Sequence, residues 1–261
     1  MPFLNRNSNA EINYLVEGSG DLDILLFNGA SLNLEFWGSL AQELTAIGRV
    51  LRFDQRNAGQ TRFEGSFSLN TVAADAATLM KDQGSERVIA IGHAWGGRVA
   101  QVFARDYPHL LSKLVICANG GQFPPIDTSV IDQALREARR SGDRSAWESA
   151  YEARWCAKGF RDRAPERFQE VADLGWNSRA NKAASWDPKV SPSSSYWGTA
   201  TVPTLLIYGE EDKNGTPKNA EDLHQRIRNS ELIMLSNAGH FVIREQEEQV
   251  LEAITTFANK K

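Results

Sequence analysis

A short glycine-rich segment, Gly-His-Ala-Trp-Gly-Gly at residues 92–97, limits the possible folds of this chain more than any other feature. The apolar run Val-Ile-Ala-Ile at 88–91 leads directly into it, and residues 98–104 continue with a helical pattern. The sequence therefore predicts a strand, a sharp turn and a helix in immediate succession. Glycine suits the flanks of such a turn because a Cβ atom there would clash with neighbouring backbone.

Strand-like and helical patterns alternate on both sides of this segment. Further strands are predicted at 10–17, 24–27, 50–53, 114–118, 204–208 and 231–235. Helical patterns lie between or after them, at 36–47, 71–82, 218–227 and 245–258. Such alternation predicts an α/β fold, with a mostly parallel central sheet and helices on both of its faces.

The alternation stops between residues 122 and 198. Charged helical patterns occur there at 131–140 and 144–156, together with five of the seven tryptophans of the chain. We interpret residues 1–121 and 199–261 as one α/β core, and residues 122–198 as a helical cap inserted into it. The cap is expected over the carboxyl ends of the strands, where open α/β sheets bind ligands.

The turn at 92–96 matches the nucleophile elbow, G-x-S-x-G, except at its centre, where Ala94 stands in place of serine. Alanine has no nucleophilic atom, so the motif is present without its reacting oxygen. In such sites, two backbone N–H groups bind the developing oxyanion. By position, these are predicted to be the N–H groups of Ala30, which follows the strand at 24–27, and of Trp95.

An acid and a base are predicted at the ends of two later strands. Asp212 follows the strand at 204–208, and its spacing favours it over the two glutamates that precede it. His240 follows the strand at 231–235, in a Gly-His pair. A carboxylate can hold an imidazole in the tautomer that base catalysis requires. The order of nucleophile position, acid and histidine matches the α/β hydrolases.

Residues 54–61, Asp-Gln-Arg-Asn-Ala-Gly-Gln-Thr, resemble a fourth motif of that superfamily, D-x-R-x-x-G-x-S. With four motifs in order, the chain resembles the α/β-hydrolase fold superfamily over nearly its whole length, and its esterase- and lactonase-like members in particular. The resemblance implies a serine-type hydrolase of an apolar ester, lactone or related acyl compound. It assigns Ala94 to the nucleophile position, Asp212 and His240 to the rest of the triad, and Ala30 and Trp95 to the oxyanion hole.

Substrate-binding residues are expected near this triad. Asn28 stands where many members of the superfamily have histidine. A tryptophan-rich cap favours aromatic or long aliphatic groups, which makes Trp147, Trp155, Trp176 and Trp186 candidates for the pocket wall. The alternative is that these tryptophans form the small core of the cap itself.

Three explanations of Ala94 follow from the sequence. In the first, alanine replaces serine in an otherwise intact hydrolase, so that binding persists while acyl transfer is lost or greatly impaired. In the second, the His240–Asp212 dyad acts as a general base without a nucleophile, in lyase, C–C cleavage or cofactor-free oxygenase chemistry. In the third, the chain is a ligand-binding protein that uses the pocket in which a hydrolase would bind its substrate.

Composition and charge limit which partners, cellular location and cofactors are expected. The net charge of −4 and the absence of a dominant basic patch argue against nucleic acid as a partner. No apolar run approaches the ~20 residues that span a bilayer, and the N-terminus does not read as a signal peptide, so a cytoplasmic protein is expected. No cluster has metal-ligand spacing, and no cofactor is implied. The oligomeric state stays open.

Overall fold

A computed structural model describes residues 2–6, 9–178 and 193–260. These residues form one nine-stranded sheet. Its strands are β1 (Phe3–Arg6), β2 (Ala10–Glu17), β3 (Asp23–Phe27), β4 (Arg49–Phe53), β5 (Arg62–Phe63), β6 (Val88–His93), β7 (Leu111–Cys117), β8 (Thr204–Gly209) and β9 (Ser230–Leu235).

The sheet is mostly parallel, as predicted. Its strand order is β1-β2-β4-β3-β6-β7-β8-β9, and β5 pairs with β2. The pairs from β4 through β9 are parallel, whereas β2 runs antiparallel to β1, β4 and β5. The short strands β1 and β5 were not predicted, because neither contains the apolar run that signals a buried strand.

Helices flank both faces of the sheet, which confirms the predicted fold class. They are α1 (Gly38–Leu44), α2 (Leu69–Asp82), α3 (Trp95–Asp106), α4 (Ser129–Ser141), α5 (Arg144–Trp155), α6 (Phe160–Arg163), α7 (Pro165–Trp176), α8 (Pro217–Arg226), α9 (Val242–Glu245) and α10 (Glu247–Asn259). Short 3₁₀ turns cover Leu34–Trp37, Pro108–Leu110 and Ser193–Ser195.

Two of the predicted helices are interrupted. The pattern at 36–47 begins as a 3₁₀ turn and becomes α1 at Gly38, whose φ of 48° breaks the regular geometry. The pattern at 245–258 divides at Gln246 into α9 and α10. Both patterns have the correct apolar spacing, but periodicity alone does not reveal a local break in the backbone.

Alternate side chains of the central strands pack on opposite faces of the sheet, as the two-residue period of a strand requires. On one face, Leu25 and Phe27 of β3 join a core with α2, α3 and α8. On the other face, Ile24 and Leu26 pack in a core that includes α1 and α10. Buried residues of α4, α5, α6 and α7 belong to that second core, so these helices pack directly on the α/β layers.

The parallel register brings the ends of the central strands to one edge. Phe27 pairs with Gly92, Cys117 pairs with both His93 and Ile207, and Gly209 pairs with Leu235. The loops that follow β3, β6, β8 and β9 therefore leave the sheet at the same edge. These loops carry the residues predicted to form the site.

Candidate active site

The turn between β6 and α3 has a strained backbone at its centre. Ala94 adopts φ 50° and ψ −116°, a region that residues with a Cβ atom rarely occupy. A Cβ atom on Gly96 would lie 2.1 Å from the carbonyl oxygen of Phe27, and one on Gly92 would lie 2.6 Å from that of Gly96. The flanking glycines are therefore required by close backbone approach. The Ala94 N–H is held by the carbonyl of Cys117, at 2.8 Å.

Asp212 and His240 meet at the carboxyl edge of the sheet. His240 Nδ1 lies 2.9 Å from Asp212 Oδ2, and both residues are buried. Asp212 Oδ1 also accepts the backbone N–H groups of Asn214, at 2.7 Å, and Gly215, at 3.0 Å. These bonds fix the carboxylate and place the imidazole proton on Nδ1, so Nε2 presents a lone pair. The neighbouring Glu210 and Glu211 are exposed.

The imidazole of His93 holds the backbone of His240. Its Nε2 donates to the carbonyl oxygen of His240 at 2.7 Å, and the side chain is completely buried. Burial, and next the charge of the neighbouring imidazole, lower the pKa of His93 to about 3. His93 is therefore neutral at physiological pH. Its hydrogen bond positions the backbone of the loop between β9 and α9, residues 236–241, which we call the histidine loop.

A second group, Glu245, ties the histidine loop to the end of α5. Glu245 Oε1 accepts the N–H groups of Gly239 and Phe241, both at 3.0 Å, and Oε2 accepts that of Ala157 at 2.7 Å. The carbonyl of Trp155 accepts the N–H of His240 at 2.7 Å. The backbone around His240 is thus bonded to the turn that ends α5. The bond from His240 is direct, and those from Gly239 and Phe241 pass through the Glu245 carboxyl.

A cavity of about 340 Å3 opens in front of these groups. The described residues that line it are Gly29, Ala30, Ser31, Leu32, His93, Ala94, Trp95, Arg98, Gly120, Tyr151, Trp155, Gly175, Ser178, Asn214, His240 and Phe241. Five of the predicted site residues therefore line one cavity, namely Ala30, Ala94, Trp95, Trp155 and His240. The sixth, Asp212, lies directly behind His240.

The positions of the two predicted oxyanion donors fit a common role. Trp95 is the first residue of α3, and the N–H groups of a first turn point out of the N-terminal end of a helix. The N–H of Ala30 donates to no backbone carbonyl among the residues described. Both residues line the cavity next to Ala94.

Three predicted substrate-binding residues do not line this cavity. Asn28 is fully buried, and its side chain accepts from Trp37 Nε1 at 2.7 Å and donates to the carbonyl of Phe53 at 3.0 Å. Its amide therefore holds two neighbouring segments together. A buried amide satisfied in this way has no hydrogen-bonding group to offer a substrate.

The three predicted pocket tryptophans that the structure describes divide into two groups. Trp147 stacks on Tyr151, with ring centroids 4.4 Å apart, and Trp176 packs edge-on against Trp147 at 5.2 Å. These two belong to the packing of α4, α5 and α7, which is the alternative that the sequence left open. Trp155 instead faces the site, with its ring centroid 5.2 Å from that of His240. Trp186 lies outside the described residues.

Sequence reasoning missed several groups at the site. Arg98 and Tyr151 line the cavity, and Asn214 Nδ2 lies 3.4 Å from His240 Nε2. Their only sequence signal is position, since Arg98 stands one helical turn after Ala94 and Asn214 two residues after Asp212. Across 2–6, 9–178 and 193–260, no His, Cys, Asp and Glu side chains group in a way that could hold a metal ion. None of the described helices is long and apolar enough to cross a membrane.

Comparison with known proteins supplies the family. The family model of the alpha/beta hydrolase fold matches residues 24–246. The chain is 25% identical to a putative carbamate hydrolase RutD of Variovorax paradoxus, over 88% of this chain and 89% of that protein. It is also 25% identical to a pimeloyl-[acyl-carrier protein] methyl ester esterase of Pectobacterium atrosepticum, over 95% of this chain and 99% of the relative.

Solved structures share the fold. An esterase from Thermogutta terrifontis superimposes with a TM-score of 0.80 at 24% identity, covering 98% of this chain and 96% of its own. The relatives found by sequence are named as hydrolases, and the family model spans most of the chain. The chain therefore belongs to the alpha/beta hydrolase fold family.

Proposed function

We propose that this cavity is the substrate site of a serine-type hydrolase that acts on a small apolar ester or lactone. Because Ala94 stands at the nucleophile position, this chain cannot carry out the covalent step. The observation that carries the proposal is the backbone of Ala94. An alanine holds the strained φ/ψ of an elbow beside an intact Asp212–His240 pair. Strain of this kind is maintained by the surrounding structure and concentrates at functional sites.

The roles of the other residues follow from their positions. With serine at position 94, its Oγ would attack the substrate carbonyl while His240 Nε2 takes the proton. Asp212 would stabilise the resulting imidazolium, and the N–H groups of Ala30 and Trp95 would bind the oxyanion. The imidazolium would give this proton to the departing alkoxide oxygen as the acyl-enzyme forms. Neutral His240 would then take a proton from water, which attacks the acyl-enzyme and releases the acid and the serine hydroxyl. With alanine, the cavity and the oxyanion donors persist while no acyl-enzyme can form.

We also propose that residues 122–198 act as the cap of this site. Trp155 and Tyr151 of α5 and Gly175 of α7 line the cavity, so these helices supply part of its wall. The predominantly apolar lining supports a small apolar acyl compound as the partner. The Asp212–His240 pair needs no cofactor for this chemistry.

The test is Ala94→Ser, assayed beside the parent chain with 4-nitrophenyl acetate, 4-nitrophenyl hexanoate and simple lactones. We expect the serine variant to show an acyl-enzyme burst and at least about 10³-fold faster turnover than the parent. A double variant, Ala94→Ser with His240→Ala, controls for non-specific esterase activity and is expected to lose the gain. Absence of any burst, in a folded variant that binds these esters, would refute the proposal.

A second candidate function is general-base catalysis by the dyad alone. It is favoured by the position of Asn214, whose amide lies 3.4 Å from the lone-pair nitrogen of His240 and could hold a polar reactant or water there. In this case the parent chain would hydrolyse 4-nitrophenyl acetate slowly, without a burst, because His240 activates water directly. Loss of that activity in His240→Ala would support this function, and identical rates in both proteins would exclude it.

A further inference from the structure

We infer that Arg98 forms an anion-binding subsite in the cavity, and that the compounds bound there carry a carboxylate near the carbonyl that reacts. The inference rests on the proposed function, because it takes the cavity as the substrate site. It refines the ligand from an apolar ester or lactone to one whose otherwise apolar acyl part ends in a carboxylate, namely a half-ester of a dicarboxylic acid or a lactone bearing a carboxylate.

The guanidinium of Arg98 is fixed but incompletely bonded. Its Nε donates to the carbonyl of Gly120 at 3.0 Å, and both residues line the cavity. This bond holds the plane of the guanidinium and leaves Nη1 and Nη2 available, since the described residues offer them no acceptor. A guanidinium held at one edge is well suited to bind a carboxylate through its remaining donors.

Among the described residues, Arg98 has no acidic partner, whereas the other buried or partly buried arginines have one. Arg56 pairs with Asp75 at 2.7 Å, Arg105 with Asp106 at 2.7 Å, and Arg154 with Asp132 at 2.9 Å. None of the ion pairs among the described residues involves Arg98. A ligand carboxylate would supply the counter-charge that the described residues do not.

The charge balance of the cavity also supports an anion-binding subsite at Arg98. Its described lining contains no aspartate or glutamate, and Asp212 lies behind His240 rather than on the wall. No carboxylate among the described lining residues therefore compensates the positive charge of Arg98, which lies at the surface of a mostly apolar cavity. In such surroundings a charge pair interacts more strongly than in bulk water. A neutral ester gains nothing from this charge, whereas an anionic one gains an ion pair.

The first turn of α3 separates the subsite from the reacting centre. Ala94 immediately precedes α3, Arg98 is the fourth residue of that helix, and both residues line the cavity. A carboxylate bound there would lie a few bonds from a carbonyl held over Ala94. The simplest ligands of this shape are monoesters of C4 to C6 dicarboxylic acids.

The test compares monomethyl glutarate with dimethyl glutarate by isothermal titration calorimetry on the parent chain, which cannot form an acyl-enzyme. We expect the monoester to bind about tenfold more tightly or better, with the preference falling at high salt. Arg98→Gln should abolish the preference and Arg98→Lys should retain part of it. Arg105→Gln, on the same helix but outside the cavity, should leave it unchanged.

The outcomes separate this inference from the proposed function. Equal affinity of the two esters for the parent chain overturns the anion subsite and leaves the hydrolase proposal standing. Binding of neither ester, with no burst from Ala94→Ser, overturns both. If Arg98→Gln does not fold, the preference of the parent chain and its partial retention in Arg98→Lys still decide the question.

Discussion

Glu245 allows a quantitative prediction about pH and stability. Its carboxyl is buried and accepts three backbone N–H groups. Burial raises its pKa from 4.5 to about 7, because the three hydrogen bonds only partly offset the loss of solvation. In the unfolded chain the same carboxyl ionises near its ordinary value.

The direction of the effect follows from proton linkage. Between pH 4.5 and 7 the folded protein keeps the proton on Glu245 and the unfolded chain releases it, so rising pH favours unfolding. The contribution of Glu245 is therefore fully present below pH 4.5 and lost as the pH passes about 7. A difference of about 2.5 pKa units corresponds to about 3 kcal/mol in the free energy of unfolding.

The perturbation that isolates this effect is Glu245→Gln. Glutamine has nearly the same shape but cannot ionise, so the variant lacks this part of the pH dependence. We expect the unfolding free energy of the parent, relative to that of the variant, to fall by about 3 kcal/mol between pH 4.5 and 7.5. Other titrating groups cancel in the comparison.

The assay is urea unfolding followed by tryptophan fluorescence, at half-unit steps of pH, on both proteins. Glu252→Gln provides a matched control on α10, because Glu252 is exposed and its removal should leave the pH dependence unchanged. A parent-minus-variant difference that stays constant over this pH range would refute the linkage argument. The constant part of the difference reports instead the hydrogen bond that glutamine loses to one of the three N–H groups.

Three further predictions concern the fold. Gly96→Ala should lower the free energy of unfolding by about 3 kcal/mol or more in urea unfolding, because its Cβ would lie 2.1 Å from a backbone oxygen of β3, whereas Gly84→Ala, at an open site with φ 68°, should cost only about 1 kcal/mol. Asp75→Asn should cost about 3–5 kcal/mol in the same assay, because it leaves the buried charge of Arg56 without its partner; a loss below 1 kcal/mol would contradict this. Cys117 should not react with Ellman's reagent in the native protein, since it is fully buried and burial raises its pKa to about 12, and rapid native labelling would show that the strand opens.

The order of the elements and the edge that carries the site were predictable because they depend on local pattern and on chain order. Continuous apolar runs identify strands buried on both faces, and parallel strands bring their carboxyl ends together. The choice of Asp212 over Glu210 and Glu211 followed from spacing. In the structure, the backbone N–H groups of Asn214 and Gly215 bond to the Asp212 carboxylate, whereas Glu210 and Glu211 are exposed.

The cavity wall was less predictable because it depends on how helices from distant parts of the chain pack. Trp147 and Trp155 lie two helical turns apart on α5, yet one stacks on Tyr151 and the other faces His240. Composition marks both residues equally. The position of Asn28 was hard to predict for a similar reason, because its side chain bonds to Trp37 and Phe53, in segments that sequence alone does not bring together.

The structure separates the geometry of the elbow from the identity of its central residue. Close backbone contacts at Gly92 and Gly96, and the bond from the Ala94 N–H to Cys117, fix the turn. A side chain larger than a methyl group at position 94 is not needed for this. His240 is likewise held through backbone bonds to His93 and Trp155 and through its side-chain bond to Asp212. None of these contacts requires a hydroxyl at position 94. The elbow and the loop that carries His240 can therefore keep this geometry with alanine at position 94, because the fold does not need a hydroxyl there.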